Sequence, residues 1–288
     1  MISYAQNGED VVLWRALGSL SAGRYVEVGA NHPRDDSVTR AFYDRGWSGI
    51  TIEPVPYFAD LHRAERPRDT IVEAVITNWS SLADILEQCG VIDHDIHFML
   101  VDTDGSEPEL LAGVDLGSTR PWVLVIKSTA PNSTMTTHSE WEPQLLAQGY
   151  EYCLFDGVSR FYVAAEKADL LRAPLSYPAC VLDNYQTLSH ATALRESREL
   201  LEQAADCRAT AMRERRELLQ QTAHWRTIAL TGWADAVNQA PGTPRGAGVD
   251  AECDRARRQL VAMQSTLSWR ITRPLRGARR VIDLARGR

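Results

Sequence analysis

A glycine and an acidic residue at two strand ends carry the first chemical signal. The run RYVEVGANHP, residues 24–33, reads as a strand entering a turn with a single glycine, Gly29. Glu53 closes a second strand candidate 24 residues later. In an open α/β sheet, ligands sit at the carboxyl ends of strands, where the strand order reverses. A glycine there lets backbone approach a ligand closely, and a carboxylate accepts hydrogen bonds from both hydroxyls of a ribose. Two nucleoside ligands use such a pair, and they differ in charge. A dinucleotide needs a glycine-rich turn that presents its pyrophosphate to a helix N-terminus. Here the turn is GANHPR, so the G-x-G-x-x-G pattern is absent. S-adenosylmethionine has no phosphate, and its sulfonium is positive. Glu27, Asp35 and Asp36 suit that cation. Charge therefore favours the sulfonium donor. The bland alternative is that Glu27 and Glu53 are ordinary strand-end charges.

The elements that must position these residues are legible as alternating patterns. Strands are predicted at Arg24–Val28, Gly49–Glu53, Thr70–Val75, Ile96–Asp102, Trp122–Lys127, Tyr150–Phe155 and Phe161–Ala164. Helices are predicted at Glu9–Leu17, Val38–Arg45, Phe58–Glu65, Leu82–Cys89, Glu107–Ala112 and Glu140–Ala147. Asn7 is the expected cap of the first helix, and Asp36 or Ser37 of the second. This alternation predicts an α/β sandwich with a mainly parallel sheet over residues 1–187. From 188 to 238 the sequence lacks proline and is rich in Leu, Ala, Glu, Gln and Arg, which predicts a long helix or coiled coil. Leu194, Leu201 and Leu218 fit a heptad seam that Arg208 and Arg215 interrupt. Residues 239–248 read as a Pro/Gly linker, and 249–288 as a short helix and a basic amphipathic tail. No tandem repeat is found.

Composition narrows the function classes. The 288 residues carry a net charge of −7, yet 254–288 hold ten Arg against two Asp, leaving an acidic body. Such a body disfavours nucleic-acid binding, where affinity comes largely from phosphate neutralisation. The basic tail, with Trp269, Ile271 and Leu275 among its arginines, suits an anionic membrane surface or a partner. A homo-oligomer through residues 188–230 is a further expectation. Five scattered cysteines, none in a C-x-x-C pair, and an N-terminus without a signal pattern point to the cytoplasm, with peripheral attachment at the inner face of the membrane as the extension.

Several segments also resemble the FkbM family of methyltransferases: SYAQNGEDVVLWRAL (3–17), YVEVGANHPRDDSVTRAFYDRGWSGITIEPVP (25–56), IHFMLVDTDGSEPELLAG (96–113), RPWVLVIKSTAPNS (120–133) and HSEWEPQLLAQGYEYCLFDGVSRFYVA (138–164). The resemblance spans most of 2–186. It implies a Rossmann-like class I methyltransferase fold, S-adenosylmethionine as cofactor, and O-methylation of a glycan, glycolipid or related natural product. It places Glu27, Gly29, Ala30 and Asn31 along the methionine part of the cofactor. Glu53 holds the ribose, Gln6 lies over the pocket, and Asp102 faces the reaction centre. Three departures stand out. Asp104 stands where the family has Glu, and Lys127 also replaces a Glu. The interval from Glu53 to Asp102 is several dozen residues short, so the adenine wall is expected to be incomplete.

The implied chemistry is an in-line displacement in which an acceptor oxygen attacks a methyl carbon, helped by alignment and a base. His138, which precedes a helix and titrates near neutrality, is the first candidate base, and Asp102 the second. Asp104 and Lys127 are the candidates for acceptor binding. Lys127 either meets an anionic acceptor group or pairs with Asp102 or Asp104. The D-x-D-x-x-E run of Asp102, Asp104 and Glu107 is too short to establish a metal, and none is assigned. His94 and His97 read as loop or edge residues, and Trp122 and Trp141 as core. The rival reading is a catalytically silent relative that serves as a binding module.

Overall fold

The computed structural model describes residues 1–91, 94–117, 119–238, 254–259 and 261–262. The elements run β1 (Ile2–Ser3), α1 (Glu9–Leu17), β2 (Arg24–Val28), α2 (Arg40–Tyr43), β3 (Ser48–Ile52), α3 (Pro56–Glu65), β4 (Thr70–Val72), α4 (Trp79–Gln88), β5 (Phe98–Val101) and α5 (Glu107–Leu111). They continue β6 (Val123–Lys127), α6 (Glu142–Ala147), β7 (Tyr150–Phe155), β8 (Ser159–Ala164), α7 (Ala168–Leu175), β9 (Gln186–Thr187) and α8 (Leu188–Asn238).

Seven strands form one sheet in the order β4-β3-β2-β5-β6-β8-β7. The first five are parallel, and β8 and β7 close the sheet as an antiparallel pair. The predicted Rossmann-like α/β sandwich is present. β2 lies between β3 and β5, so the chain reverses direction across the sheet there, and the crevice for a ligand opens at the carboxyl ends of these strands. The parallel strands are apolar on both faces because helices cover both. On one face Val26, Val28, Met99 and Val101 pack against Trp79, Leu82 and Leu86 of α4 and Trp141 and Leu145 beside and in α6. On the other, Tyr25, Phe98 and Phe161 pack against Leu13 and Leu17 of α1, Phe42 of α2 and Leu171 of α7.

The N-terminal segment is tied down outside the seven-stranded sheet. β1 pairs in parallel with β9. Asp10, fully buried at the start of α1, accepts from Ser3 Oγ at 2.6 Å and from the Tyr4 N–H at 2.7 Å. These bonds fix the segment that leads to Gln6.

Three local expectations are corrected. α1 is not capped by Asn7: Gly8, at φ +80°, occupies that position with no side-chain cap. α2 is shorter than predicted and follows Thr39, while Asp36 sits at φ +59° and neither it nor Ser37 caps the helix. β4 ends at Val72 rather than Val75. Its neighbour β3 stops at Ile52, and Pro54 has no N–H to extend the ladder.

The chain divides into two units, 1–202 and 203–288. Among the described residues, no helix is long and apolar enough to cross a membrane. The expected linker at 239–248 and most of the basic tail lie outside the described residues.

Candidate functional site

The crevice is built where β2 and β5 release their chains side by side. Gly29 follows β2 at φ +80°, and a Cβ there would lie 1.8 Å from the Asp102 carbonyl oxygen. That crossing permits only glycine. Asn31, also left-handed at φ +50°, is fixed from two sides. Its N–H donates to Glu53 Oε2 at 2.6 Å, and its carbonyl lies 3.1 Å from His62 Nε2. Burial pushes the His62 imidazole down to about 4, so it is neutral at physiological pH and donates that bond. Glu53 is itself buried, and its Oε1 accepts the Val55 N–H at 2.8 Å. Each carboxylate oxygen is thus steered by one backbone amide and keeps a further lone pair.

Two cavities adjoin at this crossing and share Gly29, Asn31 and Asp102. The smaller, about 210 Å³, presents the Glu53 carboxylate with apolar Ile52, Val55, Ala74 and Ile76 around it. Val75 lines it too and is 72% exposed. The segment after β4 therefore supplies part of this wall. The larger, about 460 Å³, is lined by Gln6, Glu9, Glu27, Asp35, Asp36 and Lys127, among others. Ala30 and Val158 also line it.

The larger cavity is acidic, and its deepest carboxylates hold protons readily. Burial pushes Glu27 up to about 7, although Arg66 opposes the shift and Thr39 Oγ1 donates to it at 2.7 Å. Arg66 is almost completely buried. It bonds Asp69 at 2.8 Å and Tyr25 Oη at 2.9 Å, and lies 3.8 Å from Glu27. Burial likewise pushes Glu9 up to about 7, with the nearby Asp156 charge adding to the effect. Glu9 is engaged by the Asn7 N–H at 2.9 Å and Ser159 Oγ at 3.4 Å. Among the described residues no cation lies within 4.0 Å of it.

Asp102 and Lys127 meet across the ends of β5 and β6. Lys127 Nζ lies 2.9 Å from Asp102 Oδ1 and 3.3 Å from Asp104 Oδ1. Burial raises the Asp102 carboxyl against the pull of Lys127. Burial lowers Lys127, but its two carboxylates outweigh this and hold the ammonium above its ordinary range. Of the two fates open to Lys127, the ion pair is the one formed. Asp102 and Asp104 meet at the Lys127 ammonium, and Glu107 turns to the loop backbone instead. Glu107 is buried and its Oε1 accepts from the N–H groups of Thr103 and Gly105, so it shapes the loop.

Gln6, Glu27, Gly29, Ala30, Asn31, Glu53, Asp102, Asp104 and Lys127 all line one or both cavities. His138 does not. It opens a 3₁₀ turn, and its Nε2 faces Glu142 at 3.8 Å. Glu142 in turn binds Arg160 and Tyr162 Oη, both at 2.8 Å. His138, the expected base, thus lies outside both cavities: a histidine before a helix carries no information about which cavity it meets. His97 accepts from the Arg24 N–H at the amino ends of β5 and β2, and Trp141 is core. Sequence reasoning missed Glu9, His62 and Arg66. Glu9 reads as a helix-dipole charge in a first turn, and Arg66 as a solvated helix-end cation.

No family model matches the sequence, and no curated protein matches it. Solved structures resemble it in part. A TehB-like SAM-dependent methyltransferase from Corynebacterium glutamicum shares 9% identity, covering 54% of this chain and 87% of that one, at a TM-score of 0.38. The glycopeptide N-methyltransferase MtfA, complexed with S-adenosyl-L-methionine, shares 11% over 57% and 96%, at 0.36. A SAM-dependent methyltransferase from Geobacter sulfurreducens, in complex with S-adenosyl-L-homocysteine, shares 16% over 54% and 68%, at 0.34. At these scores the likeness decides neither family nor ligand. The resemblance to the FkbM family rests on the quoted motifs alone.

Proposed function

We propose that the crevice binds S-adenosylmethionine and that the chain passes its methyl group to a hydroxyl of a glycan, glycolipid or related natural product. Glu53 carries this reading. It is a buried carboxylate at a strand end, aimed by two amides, with a lone pair on each oxygen left for a vicinal diol in the smaller cavity. The apolar side chains around it suit an adenine ring, and the exposure of Val75 gives a planar base something to cover. The donor set of the larger cavity fits the cationic half of the same molecule. Glu9, Glu27, Asp35, Asp36 and Asp102 face one ammonium, Lys127. That charge is hostile to a pyrophosphate, and the antiparallel closure of the sheet departs from the all-parallel dinucleotide order.

When bound, the sulfonium supplies an electrophilic methyl group. The chain's own residues then have definable tasks. Gly29 and Asn31 form the floor at the junction of the two cavities. Gln6, held by the strap that Asp10 fixes, roofs the larger one. Asp102, kept in place by Lys127, orients the acceptor. Glu9 takes the hydroxyl proton as the oxygen gains carbon, because it is the deep lining carboxylate without a cation partner among the described residues and its proton affinity lies near neutrality. The hydroxyl-bearing acceptor class is supported by the motif resemblance and by the polar lining, which offers hydrogen bonds throughout.

A second reading, a binding module without transfer, is favoured by one observation: the Lys127 ammonium already satisfies Asp102 and Asp104. Calorimetric titration with S-adenosylhomocysteine tests the ligand. Binding that Glu53→Ala abolishes supports it, and NADH binding in its place overturns it. Tight binding with no methyl transfer to any of a panel of oligosaccharides and lipid-linked glycans would favour the module.

A further inference from the structure

The long helix α8 carries a repeat that a heptad reading conceals, contrary to the expectation of none. RESRELLEQAADCRATAM at 195–212 is followed directly by RERRELLQQTAHWRTIAL at 213–230. Both copies lie within the continuous helix Leu188–Asn238. Eighteen residues are five turns of an α-helix, so each residue stands in line with its counterpart. Leu194, Met212 and Leu230 share one azimuth, with Leu201 and Leu219 about 20° away and Trp233 about 60° away. All six are exposed, Leu201 and Trp233 each 69%.

Charge is sorted around the same axis. Arg198, Arg208, Arg215, Arg216 and Arg226 fall on this apolar arc, which is about 100° wide. Every acidic residue of α8, from Glu196 to Asp235, falls outside it, at about 80–200° from Leu194. The face is therefore apolar and cationic along about 60 Å, and the rest of the helix carries all the acids, with exposed Leu200, Leu218, Trp225 and Ile228 interspersed among them. A period of 3.6 winds neither to the left nor to the right, so the face is straight. A coiled-coil partner asks for a 3.5 period and would meet Arg208 and Arg215 in its seam. A flat anionic surface asks for what is present: Leu and Met side chains to enter it, arginines at phosphate level, a tryptophan at the boundary and acids turned to water. The chain continues with the same sign, ten Arg against two Asp from 254 to 288.

We propose that α8 lies lengthwise on an anionic phospholipid surface through the face that runs from Leu194 to Trp233. This assignment is independent of the methyl-donor reading. The test uses the full chain and co-sedimentation with phosphatidylcholine vesicles containing phosphatidylglycerol, against pure phosphatidylcholine. Sedimentation with the anionic vesicles alone is expected. Replacing Arg208, Arg215 and Arg226 together by Gln, with the basic tail intact, weakens partitioning about a hundredfold. Leu201→Gln with Leu219→Gln weakens it at least about tenfold. Glu199→Gln with Glu217→Gln, on the other side, leaves it unchanged or tighter. All these positions are exposed, and an unchanged circular dichroism spectrum confirms each variant's helix. Three results overturn the proposal. One is no sedimentation with either vesicle. Another is full binding by the arginine variant, which would make the tail the sole anchor. The third is a dimer, seen by light scattering, that Leu201→Gln with Leu219→Gln dissociates while lipid binding persists.

Discussion

The two cavities hold their key carboxylates in opposite ways. In the smaller one, backbone amides aim Glu53, and the side chain adds little to the fold beyond accepting them. In the larger one, Glu27 accepts from the Thr39 hydroxyl and faces Arg66, Glu9 accepts from the Asn7 amide and the distant Ser159 hydroxyl, and burial raises both to about 7. An amide-held carboxylate is fixed in direction and built to recognise a shape. A carboxylate whose burial raises it to near neutrality is poised between two charge states and built to respond to a proton or a cation.

The largest effect should come from beneath the larger cavity. Arg66→Met leaves Asp69 buried without its cation and Glu27 without its nearest opposing charge. Urea denaturation should show a loss of about 3–5 kcal/mol. Glu53→Ala should weaken S-adenosylhomocysteine binding about a hundredfold by calorimetry. Its cost in stability is smaller, about 1–3 kcal/mol for amides left without an acceptor. Equal losses at both sites in both assays would erase the contrast.

Proton dependence sharpens it further. A cation entering the larger cavity favours ionised Glu9 and Glu27, so S-adenosylmethionine affinity should rise about tenfold from pH 6 to pH 8. S-adenosylhomocysteine, which lacks the sulfonium, should respond less. Stability without ligand runs the other way. Glu9, Glu27 and Asp10 have raised values in the folded state, to about 7, 7 and 6, so the native chain holds more protons than the unfolded one. Their contribution is complete below about pH 4 and is lost as pH rises through 6–7. Thermal melts should fall across that window, and Glu9→Gln should flatten the fall. The smallest effect belongs to Lys127→Met. Asp102 then loses its cation and rises further, and donor affinity at pH 7 should change by less than about tenfold.

Much of this fold was legible because parallel strands are short apolar runs with clear ends. Gly29 and Glu53 were legible for the same reason, since each follows a strand and needs no distant partner to be recognised. Arg66 and Glu9 were not. Their meaning comes from Tyr25 and Glu27 some forty residues before Arg66, and from Ser159, 150 residues beyond Glu9. The place of His138 was not legible, because a cue drawn from adjacent residues cannot tell which cavity a loop residue meets. The α8 repeat escaped because a heptad search imposes 3.5 on a helix written at 3.6.

The β1–β9 pair has a mechanical consequence. Any tension borne by α8 enters the body at Leu188, and the first rungs it meets are Gln186 and Thr187, zipped to Ile2 and Ser3. Ser3 is bonded to Asp10, whose other oxygen accepts the Tyr4 N–H, two residues before the Gln6 that lines the larger cavity. The long helix and the segment that carries Gln6 are thus joined through two backbone rungs and one hydroxyl.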